Sequence, residues 1–166
     1  MASTCGIGIA ESRNVELVAY HPAENRPPFK FGMQIHGGRW YLYCSHLWHC
    51  GWSIFDVTDP YELRFLKWLE GPPNTWTIQI QVAEGKMITG LEKIAGGHDA
   101  RAQAWGHNPL RSWEEGIMIW EVADDPVEPK LLGRFRTGAV GTHRNFYAGG
   151  RYVHLCAHMP GIKGHC

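Results

Sequence analysis

GWSIFDVTDPYELRFLKWLEG, residues 51–71, reads as a strand, an Asp-Pro turn and a returning strand, and it lies on a second copy, GIMIWEVADDPVEPKLLGRFRTG, residues 116–138. In the first copy residues 52–57 form the outgoing strand, Thr58-Asp59-Pro60 turns the chain, and residues 64–69 return. A second repeated element stands ahead of each copy. Gly37-Gly38 precedes RWYLYCSH (39–46), Glu84-Gly85 precedes KMITGLEK (86–93), and Gly149-Gly150 precedes RYVHLCAH (151–158). All three share the turn and a basic opening residue, and the first and third also match at Cys and His. Each follows an alternating stretch: KFGMQIH (30–36), TIQIQVA (77–83) and THRNFYA (142–148). A tight glycine-bearing turn between alternating runs marks a β-hairpin. The repeating unit is therefore four antiparallel strands, a to d from the inside outward. No segment keeps a 3.6-residue apolar period over a helical length.

A four-stranded sheet recurring every 40 to 50 residues or so is the blade of a propeller, in which blades stack face to face around a channel and closure hides their edges. The fold class expected is thus all-β, a β-propeller of four-stranded antiparallel blades with only about two and a half to three blades present. SIFDVTDPYELRFL and IMIWEVADDPVEPKLL resemble the LVIVD repeat, an apolar strand ending in Asp before a Ser/Thr-Asp-Pro turn, and the resemblance covers most of residues 15–160. It implies a β-propeller and says almost nothing about activity, since fold does not determine function. The expected organisation is an outer strand at 15–20, a blade at 29–71, a blade at 75–138 carrying a loop insertion at 94–115, and a half blade at 142–158. Two explanations fit the missing strands: truncation of a longer ring, or a homodimer closing a six-bladed ring head to tail, with residues 6–10 as a weak strand c.

Composition agrees with many short strands, with 44% hydrophobic residues, 8 Trp, 20 Gly and 10 Pro. Lys plus Arg equals Asp plus Glu at 16 each, so neither nucleic acid nor a membrane is an expected partner. The opening MASTCGIGIAESRN lacks the basic and apolar regions of a secretory signal, and no segment approaches the length of a membrane span, so a cytoplasmic location is expected. Five cysteines without a CxxC pair read as reduced thiols, with Cys44 and Cys156 in apolar strand-like runs.

In antiparallel blades strand a begins and strand b ends on one rim. That rim collects His46, Trp48, His49, Trp76, Glu92, His143, Arg144, Asn145 and His158, and the 94–115 insertion projects over it. His46, His49, His143 and His158, with Glu92, form a candidate ligand set for a divalent metal (zinc, iron or manganese). Without a metal, His143 with Glu92 makes a base and its orienting carboxylate, and Arg144 joins them as a catalytic candidate. Trp48, Trp76, Asn145 and Lys30 are candidate contacts for a small organic substrate. A structural reading stands beside each: His46 and His158 share a repeat position that every blade could need for a hydrogen bond. Arg144 and Asn145 could tie strand ends, and Gln79 and Gln81 line an inner strand. Trp40, Trp52, Trp68 and Trp120 read as packing between blades. The functions expected are a small-molecule enzyme, possibly metal-dependent, a protein-binding scaffold, or an inactive remnant.

Overall fold

Gly37 and Gly38 hold positive φ angles of 56° and 77°, as do Glu84 at 47° and Gly85 at 68°. These are the left-handed pairs of two-residue hairpin turns, and they pair His36 with Arg39 and Ala83 with Lys86. The structure, a computed structural model, describes residues 13–94, 108, 111–157 and 159–162. It is all-β, with strands β1 (Pro28–His36), β2 (Arg39–His46), β3 (Gly51–Asp56), β4 (Arg64–Glu70), β5 (Thr75–Ala83), β6 (Lys86–Lys93), β7 (Gly116–Glu121) and β8 (Lys130–Phe135). β1 to β4 form one antiparallel meander and β5 to β8 another, joined where His46 pairs with Thr77. Apart from one 3-10 turn at Ala23–Asn25 there is no helix among the described residues, and none is long and apolar enough to cross a membrane.

The acidic residue that ends each copy of the repeat is turn chemistry. Asp56 Oδ1 accepts the Thr58 amide at 2.9 Å, and Glu121 Oε1 accepts the amide of Asp124 at 3.0 Å. Asp59 and Asp125 then accept the Tyr61 and Val127 amides across their prolines, each at 2.9 Å. The Thr58 hydrogen bonds, followed by the Arg39 guanidinium, hold the Asp56 carboxyl down at about 2.

A threonine clasp repeats between units. The Thr77 hydroxyl accepts the Gly51 amide at 2.9 Å and faces the carbonyls of His46 and Gly51 at 3.0 and 3.1 Å. The Thr142 hydroxyl donates to the Gly116 carbonyl at 2.8 Å, and both threonines follow their glycine by 26 residues. Each inner strand is thereby tied to the start of strand c in the unit before it.

The two meanders belong to one curled antiparallel sheet and share a core. Tyr41, Tyr43, Trp52 and Ile54 of the first meander bury themselves against Ile80, Met87, Met118 and Trp120 of the second, with the Trp52 and Trp120 rings edge to face at 5.7 Å. Tyr43 donates its hydroxyl to the Pro126 carbonyl at 3.0 Å, and Gln34 Nε2 donates to the Val122 carbonyl at 2.8 Å. The second meander's other face, Ile88 and Ile117, packs on Tyr147, Val153 and Leu155.

Two expected elements take a different form. Residues 15–20 make no strand, and Val15 and Leu17 stay exposed. The 142–158 hairpin is held by the isolated bridges Thr142 to Ala157 and Phe146 to His154 instead of a full ladder. The second bridge leaves three residues, 149–151, in its turn, so Arg151 falls in the turn and the returning strand is set back by one from the sequence match. Most of the 94–115 insertion lies outside the described residues. Trp40 is exposed, while Trp68 is half-buried under the Arg26 guanidinium, 4.4 Å from its ring centre.

Candidate functional site at the strand-end rim

Gly141 decides the local geometry. Its φ of +114° is open to glycine, and a Cβ there would sit 2.2 Å from the Leu91 carbonyl oxygen. That close approach lets Glu92 bridge to Gly141, the Thr142 amide donate to Leu91 at 3.1 Å, and the Lys93 amide donate to Val140 at 2.7 Å. The chain then delivers His143 to the end of β6, where its Nδ1 lies 2.6 Å from Glu92 Oε2. A carboxylate only accepts here, so Nδ1 carries the proton and the ring is fixed in orientation. The Glu92 side chain is 8% exposed and His143 32%, so the acid is buried and the imidazole faces outward.

An aromatic pair stands on the same rim. Trp76 opens β5 directly opposite Glu92 in the register, and its ring meets Trp48 edge to face at 5.7 Å. Opposed residues of an antiparallel pair share a sheet face, so Trp76 stands on the face of the sheet that carries Glu92. Lys93 adds a charge by lying 4.3 Å over the Trp113 ring.

The remaining candidates separate from this group. His46 is fully buried: its Nδ1 donates to the Pro27 carbonyl at 3.2 Å and its Nε2 accepts from the Ser53 hydroxyl at 2.8 Å. Burial first of all pulls its pKa down to about 4, so it is a neutral structural imidazole with both nitrogens engaged. His49 stands edge-on to it at 6.2 Å. His158 lies outside the described residues. Among the described residues no three His, Cys, Asp or Glu side chains converge to hold a metal ion, so His46, His49, His143 and Glu92 do not make a ligand set by themselves.

Arg144, the residue after His143 in the chain, is exposed. Asn145 is buried, and its Nδ2 donates to Thr142 Oγ1 at 2.8 Å. The threonine hydroxyl is already donating to Gly116, which fixes that amide orientation and leaves Asn145 Oδ1 buried without a hydrogen-bond partner. Lys30 reaches between the inner strands and donates to Gln79 Oε1 at 3.0 Å, while Gln81 Nε2 donates to the Asn145 carbonyl at 3.0 Å. Lys30 and the two glutamines therefore cross-link inner strands, and burial lowers the Lys30 pKa.

Two residues that sequence reasoning passed over seat the insertion. Asn74 holds it through the Asn108 amide at 2.8 Å and the Arg111 carbonyl at 3.1 Å. Glu115 gathers the Thr137 amide, the Thr137 hydroxyl and the Gly138 amide at 2.7, 2.6 and 3.1 Å. The Pro72-Pro73-Asn74 run was the available signal for the first, and Glu115 had none. At the opposite end of the strands a cavity of about 530 Å³, lined by Arg39, Asp56, Tyr61 and Arg64, belongs to the repeat turn and not to this rim.

No protein-family model matches the chain, and neither curated proteins nor solved structures include a significant match.

Proposed function

We propose that the chain belongs to a cytoplasmic β-propeller of the LVIVD kind, binds a small organic molecule against Trp48 and Trp76 and takes a proton from it with His143. The propeller reading is supported by two meanders that share a core and by the threonine clasp repeated at the same spacing. The observation that carries the chemistry is the 2.6 Å contact of a buried Glu92 with a part-exposed His143. A carboxylate on Nδ1 fixes the tautomer and orients Nε2 as the accepting nitrogen, the arrangement of a general base. The flanking indoles supply flat apolar surface for an organic ligand. No metal enters this reading, since the His46 nitrogens are committed to Pro27 and Ser53.

Saturation-transfer NMR with a fragment set of hydroxylated and aromatic carboxylic acids tests it. Bound fragments are expected to perturb the His143 ring and to lose about tenfold in affinity in Trp76→Ala, while Glu92→Gln scrambles the imidazole tautomer seen in long-range 15N spectra. Fragments that bind without touching His143 or Trp76, or a tautomer indifferent to Glu92→Gln, would overturn it.

A further inference from the structure

We infer that the outer face of β1 is the docking surface for the third hairpin of a second copy of this chain. Phe29, Phe31, Met33 and Ile35 alternate along β1 and are between 45 and 58% exposed, a contiguous apolar row on a strand whose other face is packed. Counting back from the matched hairpin turns, Phe31 and Met33 hold the positions of Ile78 and Ile80 in β5. Those two are 1% and 0% exposed, and Ile80 is covered by Tyr41, Tyr43, Trp52 and Ile54 of the first meander. The row is therefore the same interface that the chain already makes once within itself, lacking its partner.

The occupant is identified by what covers the equivalent face: the outward side of a neighbouring inner hairpin. In this chain that side is left open at the far end of the stack. Along residues 142–148 exposure alternates, with Asn145 and Tyr147 buried toward β6 and Arg144, Phe146 and Ala148 turned outward. Phe146 is 58% exposed and Tyr152 beside it 71%. The two open ends are different surfaces, so the contact is head to tail, and two copies close it with two identical interfaces. The inference rests on the propeller reading of the fold and not on the His143 chemistry.

The test is native mass spectrometry and sedimentation of the full chain with Met33→Lys and Phe146→Glu, both surface changes. The wild type is expected to be a dimer, and each variant alone to raise the dissociation constant about 100-fold by burying an unpaired charge in both interfaces. Mixing the two variants restores dimer, since the mixed pair keeps one unaltered interface. A wild-type monomer whose β1 amides stay dispersed in NMR spectra overturns the inference and leaves the blade stack standing, whereas collapsed dispersion of β1 and β5 together would overturn the stack itself. A dimer sensitive to Met33→Lys but indifferent to Phe146→Glu, or unrescued by mixing, is a β1-to-β1 contact and overturns it as well.

Discussion

His46 shows how a residue type that suggests chemistry is spent on structure. Its Nδ1 proton goes to a carbonyl and its Nε2 takes the Ser53 proton, so the fold holds the neutral ring and resists protonating it. Its folded pKa of about 4 lies below the ordinary value of 6.5. Between those values the unfolded chain binds the proton and the folded chain does not. Stability is therefore full above pH 6.5 and declines as the pH falls toward 4. Denaturant unfolding of the wild type and of His46→Gln across that range should reveal the difference: the wild type loses stability on acidification and the variant keeps a flatter profile. A wild-type slope retained in His46→Gln would assign the loss to another group. Cys44 is equally committed, since burial pushes its thiol up to about 12 and removes it as a nucleophile.

The hairpins and the segment after Val140 govern the site at the level of elements. The rim pair depends on the backbone at Gly141 approaching the end of β6, where any side chain collides with the Leu91 carbonyl. Gly141→Ala is expected to cost about 2 kcal/mol or more through strain at positive φ and displacement of the 141–146 segment. The His143 to Glu92 contact would be lost before the β1 to β4 meander is disturbed. Amide exchange should show faster opening at Thr142 and Phe146 with unchanged protection in β2 and β3. Equal loss of protection in both regions would contradict the local role. The repeat was legible here because hairpin turns and the Asp-Pro turn have strong local signatures, and Gly37-Gly38, Gly85, Asp59 and Asp125 behave as their residue types require. Residues 15–20 have a strand-like composition and form no strand, since a strand exists only where another backbone completes its hydrogen bonds.

In the molecule as a whole, the two meanders share one core, so neither should unfold alone. Trp52 sits at its centre, fully buried against Trp120. Trp52→Ala is expected to cost about 3–5 kcal/mol, and to lower exchange protection in β7 as much as in β3. Two resolved thermal transitions in the wild type would show instead that the meanders are independent. Away from this core, apolar side chains stay exposed along β1 and at Phe146.

Local chemistry in the sequence determined the β class, the four-stranded repeat, the turn types, and even the neighbourhood of Glu92 and His143, because antiparallel order alone places strand ends on a shared rim. The tertiary structure decided which of the rim residues act together. Burial sealed His46 between Pro27 and Ser53, and the Gly141 approach brought Glu92 within 2.6 Å of the imidazole. Side-chain partnership depends on the facing and depth that packing imposes across distant segments, and no local pattern carries that information.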